Sequence, residues 1–123
     1  MALVRIDFSN SQAQDFGQVT ALLVNRIMAE VLNVPEHENY IIGQAHERSD
    51  LLHNPANVAP ARLADIVFIQ ITLNSGRSPE LKTNFYDALT TAICADTLVK
   101  SENIFINLVE VAKENWSFGK NKL

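Results

Sequence analysis

The feature that most constrains this chain is an internal repeat. Glu38-Asn39-Tyr40-Ile41-Ile42 returns as Glu102-Asn103-Ile104-Phe105-Ile106, and the same offset carries Ala2 onto Ile66. Each half reads strand, helix, strand. Two strands joined by a helical crossover pair in parallel with a right-handed connection. Two such βαβ units predict an α+β fold: a four-stranded sheet with both helices on one face. The repeats span 2–46 and 65–111, a tail covers 112–123, and the 123 residues suit a single domain. The other sheet face is left in need of cover. Phe8, Phe68 and Tyr40 are assigned to it, and oligomerisation is the expected remedy.

The individual elements follow from periodicity. In Met1–Phe8, Val4, Ile6 and Phe8 alternate with Arg5 and Asp7, as in a half-buried strand. Ser9-Asn10-Ser11 supplies candidate caps for a long helix whose stripe is Phe16, Thr20, Val19, Leu23, Ile27 and Val31. Leu22, Val24 and Met28 lie off that stripe, so a second packing surface is expected. Gly17 should weaken the first turns, and Asn33 and Pro35 should end the helix. Asn39–His46 reads as a strand and Glu47–Leu63 as a long irregular connection. Asp65–Leu73 is an apolar, β-branched run expected to be a strand buried on both faces. A second helix follows, with Leu81, Phe85, Leu89 and Ile93 on one side, and then a last strand, Ile104–Val111.

Between the third strand and the second helix the local signals are sharp. Gly76 permits a tight turn, Ser78 is a good N-cap, and Pro79 suits the first helical position. Arg77 therefore stands where backbone N–H groups and a helix dipole favour an anion. A surface arginine after a turn is the alternative reading. Glu38, before the second strand, either activates a water or is a solvated carboxylate. Trp116 and Phe118 either wall a pocket or pack on a neighbouring subunit.

Composition excludes several classes. Net charge is −4 with no basic cluster, which argues against nucleic acid as a partner. No apolar run approaches a membrane span, and Arg5 and Asp7 interrupt the start too early for a signal peptide. Cys94 is the one cysteine, so no internal disulfide can form, and its place on the second helix marks it as a core residue. A cytoplasmic protein is expected. His37, His46 and His53 have no metal-ligand spacing, so no metal or other cofactor is expected. Asp87, Asp96 and Lys100 read as surface charge. There is no phosphate loop, nucleophile elbow or dinucleotide fingerprint.

The doubled βαβ, the Ile66–Lys82 block with its Ser-Gly-Arg-Ser turn, and Phe105-Ile-Asn-Leu-Val-Glu-Val-Ala-Lys-Glu-Asn-Trp-Ser-Phe-Gly119 resemble the tautomerase superfamily. The nearest branch is the one that includes malonate semialdehyde decarboxylase. The resemblance implies a homotrimer with active sites near subunit boundaries and catalysis by the α-amine of an N-terminal proline, freed when methionine is removed. It also implies an arginine that binds the substrate carboxylate, an acidic residue before the second strand, and an aromatic wall. Arg77 matches the arginine, and Trp116 and Phe118 match the wall. Glu38 stands where the decarboxylase has an aspartate, Ser75 where it has a second arginine, and Ala2 where the family has its proline.

A free α-amine titrates at roughly 7.7–8.0, so an Ala2 amine could still act as base or acid. It lacks the ring that fixes proline's φ, and as a primary amine it could also form an imine with a carbonyl substrate. The expected function is keto–enol tautomerisation of a small 2-oxo acid, with Ala2 moving the proton, Arg77 holding the carboxylate and Ser75, Trp116 and Phe118 lining the site. Two alternatives remain: a trimeric binding or structural protein that lost its catalyst, and a decarboxylase or hydratase of a 3-oxo or unsaturated acid. Ser75 weighs against the last.

Overall fold

A computed structural model describes residues 1–51 and 65–119. The elements are β1 (Ala2–Ser9), α1 (Phe16–Leu32), β2 (Asn39–His46), β3 (Val67–Asn74), α2 (Pro79–Asp96) and β4 (Ile104–Val111). The strands form one sheet in the order β2-β1-β3-β4. β1 pairs in parallel with β2, β3 in parallel with β4, and the two halves meet where β1 and β3 run antiparallel. The register of that central pair sets Ala2 opposite Leu73 and Phe8 opposite Val67. The tandem βαβ architecture is therefore as the repeat predicts.

Strand alternation decides which side chains meet the helices. Ala2, Val4, Ile6 and Phe8 of β1 and Val67, Ile69, Ile71 and Leu73 of β3 point inward and are buried. They share a core with Phe16, Leu23, Val24, Ile27 and Met28 of α1 and Phe85, Leu89 and Ile93 of α2. Val24 and Met28 are fully buried within the protomer, where α2 packs beside α1, and need no second subunit. Leu22 alone of the off-stripe residues stays open, at 73% exposure. Phe8 also faces this core, tilted against Phe16 with ring centroids 4.9 Å apart, so its assignment to the outer face is corrected.

α1 starts later than the serines suggest. β1 runs through Ser9, and the Ser9 hydroxyl accepts from the Ser11 N–H at 3.2 Å, which closes a local turn instead of capping a helix. Asp15 precedes the first helical residue and makes no side-chain cap. Gly17 answers to packing: a Cβ there would lie 3.1 Å from the Phe8 ring. At the other end Asn33 takes the left-handed conformation, φ 57°, and returns its N–H to the Met28 carbonyl. α2 begins as expected, with the Leu81 N–H bonded to the Ser78 hydroxyl and Pro79 in the first turn. Gly76 has φ +129°, a conformation that suits glycine. The connection expected over Glu47–Leu63 contains a short 3-10 turn at Arg48–Asp50; its residues 52–63, with His53, lie outside the described residues.

Within one protomer β3 is buried on one face only, so burial on both faces requires a neighbouring copy. Its outer face carries Phe68, which is 43% exposed, and Gln70, because both helices cover the opposite side. Phe68 stacks on Phe105 with centroids 5.5 Å apart, and Leu3, Tyr40 and Ile42 extend the apolar surface across β1 and β2. Among the described residues no helix is long and apolar enough to cross a membrane.

A polar cluster interrupts that outer face. Asp7 Oδ1 lies 2.6 Å from His46 Nε2 and accepts from Arg5 Nη2 at 3.1 Å; Arg5 also reaches Gln44 Oε1 at 3.3 Å. Burial pushes the Asp7 carboxyl up, but the hydrogen bonds from His46 and Arg5 outweigh it and hold the group below the usual carboxylate range. A carboxyl depressed in the folded state stabilises fully above its ordinary value of about 3.9 and loses that contribution as pH falls through the folded value. Asp7→Asn should therefore lack this component. Urea midpoints measured from pH 6 downward should fall more steeply for the wild type than for the variant below about pH 4. Parallel curves would show that the cluster adds no pH-dependent stability.

Candidate active site

The repeat gathers the start of β1, the start of β2 and the ends of β3 and β4 at one end of the sheet. The Met1 amine lies there, 3.2 Å from Glu38 Oε2. Glu38 closes the short 3-10 turn that feeds β2, and its carboxylate reaches back across the parallel pair. A cleft of about 240 Å³ adjoins this ion pair, lined by Met1, Leu3, Tyr40, Trp116, Ser117 and Phe118. Trp116 and Phe118 stack nearly parallel, with centroids 6.0 Å apart and an interplanar angle of 11°. The Trp116 indole N–H donates to Asn74 Oδ1 at 2.7 Å, tying the tail to the end of β3.

Arg77 reaches the same end by a different route. Its Nε donates to the Leu32 carbonyl at 2.8 Å and its Nη1 to the Asn74 carbonyl at 3.0 Å. It thereby satisfies an orphan carbonyl of the last turn of α1 and fastens that helix to the end of β3. The turn before α2 already holds a carboxylate of the chain itself. Glu110 accepts from the Gly76 N–H at 3.3 Å and from the Lys82 ammonium. The Lys82 bond, opposed by desolvation and aided by Gly76 and the nearby Arg77, holds the Glu110 carboxyl below its usual range.

The structure thus brings together the leading amine, Glu38, Trp116 and Phe118. Ser75 and Arg77 follow Asn74, the acceptor of the Trp116 indole, but do not line this cleft within one protomer. The Ser75 N–H bonds to the Val111 carbonyl at 3.0 Å, holding the turn against β4. The Ala2 side chain is fully buried toward the helices, and its nitrogen stands at the first position of β1. Leu3 and Tyr40 were not foreseen as lining residues. The signal for Leu3 was the strand alternation, which sets it on the side opposite Val4; Tyr40 stands two residues after Glu38 on the outer face of β2. Asn74 was missed because nothing local to it announces a partner 42 residues away. Among the described residues no group of three or more His, Cys, Asp or Glu side chains could hold a metal ion.

A family model described as "Tautomerase enzyme" matches residues 38–119. The chain belongs to this tautomerase family. Over 122 residues it is 26% identical to the probable tautomerase YusQ of Bacillus subtilis (strain 168), covering 99% of this chain and 96% of that protein. The crystal structure of FG41 malonate semialdehyde decarboxylase inhibited by 3-bromopropiolate superposes with a TM-score of 0.82 at 28% identity, covering 98% of this chain and 91% of that one. A fused 4-OT wild-type symmetric trimer shares the fold, with a TM-score of 0.80 at 17% identity over 98% of this chain and 94% of that one. The tautomerase fold, and its decarboxylase-like branch, therefore agree with the repeat and with the C-terminal Asn-Trp-Ser-Phe-Gly motif.

Proposed function

We propose that this tautomerase-family protein interconverts the enol and keto forms of a small 2-oxo acid, using the α-amine of Ala2 after removal of Met1. The observation that carries the reading is the aromatic cleft at the start of β1, where the Met1 amine, one residue before Ala2, pairs with Glu38. Removal of Met1 makes the Ala2 nitrogen, the next backbone nitrogen in β1, the terminal amine. Ketonisation then needs one proton relay. The neutral amine takes the enol hydroxyl proton, and the ammonium so formed delivers a proton to C3 as the C2–O bond becomes a carbonyl. Glu38 stabilises the charged intermediate state of the amine. Trp116 and Phe118 exclude water and press on the carbon skeleton. Arg77, with its Nε and Nη1 spent on carbonyls, offers the rest of its guanidinium to the substrate carboxylate where subunits meet. Ser75 lies on the same turn and adds no charge.

The family's proline, implied at this position by the sequence resemblance, aims the nitrogen through its ring; alanine leaves it less firmly held. The second reading, a binding protein that lost its catalyst, draws on this substitution and on the bond that Glu110 already makes to the Gly76 N–H beside Arg77. An absorbance assay with an enol substrate separates the two, once intact mass has shown that Met1 is gone. Wild type should ketonise above the buffer rate, Ala2→Pro should be faster, and Arg77→Ala should lose about ten- to hundredfold in kcat/KM, the worth of a charged hydrogen bond. Circular dichroism on Arg77→Ala checks that the loss is not unfolding. If none of the three exceeds buffer, the binding-protein reading stands. Turnover in Ala2→Pro alone marks a degenerate enzyme on an intact scaffold.

The apolar outer face supports a homotrimer. Light scattering should give about three times the 13.7 kDa chain mass for the wild type and a smaller species for Phe68→Asp, which places a charge on the stacked Phe68–Phe105 pair. A monomeric wild type would overturn the assembly.

A further inference from the structure

We propose that Asn74 is a positioning residue that fixes the spacing between the aromatic wall and Arg77. This role rests on the cleft being a 2-oxo acid site. Asn74 is the last residue of β3 and uses two different atoms: its side-chain Oδ1 accepts from the Trp116 indole at 2.7 Å, and its backbone carbonyl accepts from Arg77 Nη1 at 3.0 Å. Trp116 follows a short 3-10 turn, Lys113–Asn115, beyond β4, and its own N–H makes a long 3.4 Å contact to the Lys113 carbonyl. The indole bond is what joins this wall to the rigid sheet, and Phe118 follows because it stacks on Trp116. The guanidinium is anchored from the other side by the Leu32 carbonyl. One residue at the end of a central strand thus ties the wall that grips the carbon skeleton to the same protomer's Arg77, which stands next to the cleft without lining it. Such spacing governs binding geometry more than proton transfer, so its loss should fall on KM.

The chain contains one tryptophan, so its indole N–H gives one unambiguous NMR cross-peak and its fluorescence reports this wall alone. Asn74→Leu keeps the approximate volume and removes the acceptor; Asn74→Asp keeps an acceptor oxygen. In Asn74→Leu the indole peak should move toward its solvent position, and acrylamide quenching should at least double. KM for the enol substrate should rise about three- to tenfold, the scale of one neutral hydrogen bond, with kcat within twofold. Asn74→Asp should restore the indole signal and KM together. Trp116→Phe, which removes the donor and keeps a ring, should raise KM by a similar factor if Asn74→Leu fails to fold.

An unmoved indole in Asn74→Leu, or a released indole with unchanged KM, overturns the positioning role while leaving the tautomerase reading intact. A wild type that neither turns over the enol nor changes its fluorescence with 2-oxobutyrate overturns both, and the indole response still shows whether the bond itself exists in solution.

Discussion

The antiparallel contact between β1 and β3 is the constraint on which the rest depends. Because Ala2 pairs with Leu73, the beginning of the chain arrives beside the end of a central strand. Parallel pairing then does the remaining work on each side. β2 starts where β1 starts, which brings Glu38; β4 ends where β3 ends, which brings Glu110 and the tail with Trp116 and Phe118. Residues far apart in the chain meet at one sheet end without any long loop being needed to carry them.

The same topology leaves the protein one-sided. Both helices pack on the inner face, where alternate residues of β1 and β3 are almost completely buried. The outer face combines stacked aromatics with the Arg5–Asp7–His46 cluster. A surface this apolar is what a neighbouring copy would cover, while the charged cluster within it adds direction to the contact. The end of the sheet that holds the cleft borders this face, since Leu3 and Tyr40 belong to both. Assembly and site are thus built from adjoining rows of the same strands.

Much of this was legible in the chain. β2 and β4 occupy the residues their patterns indicate, and Ser78-Pro79 marks the start of α2 because the cap and the fixed φ are both local properties. The start of α1 was not legible, because Ser9 could cap a helix or close a turn, and only the pairing of Ser9 with His46 decides for the strand. The face of Phe8 was ambiguous because an apolar side chain suits either a core or an interface. Arg77 was found as a special position, but not its anchoring to Leu32 and Asn74, which depends on how α1 returns to the sheet. That Glu110 would bond to Gly76 and Lys82 could not be read from β4 alone, since these partners come from the turn before α2 and from α2 itself.

The account turns on a cavity shared by the leading nitrogen, the aromatic wall and a guanidinium. A crystal structure of the Met1-free protein soaked with a small 2-oxo acid tests that arrangement directly. The carboxylate should rest on an Arg77 guanidinium, the carbonyl oxygen should lie about 2.6–3.2 Å from the Ala2 nitrogen, and the carbon chain should contact Trp116 and Phe118. An acid bound elsewhere, or an Ala2 nitrogen remote from every Arg77 in the assembly, would contradict it.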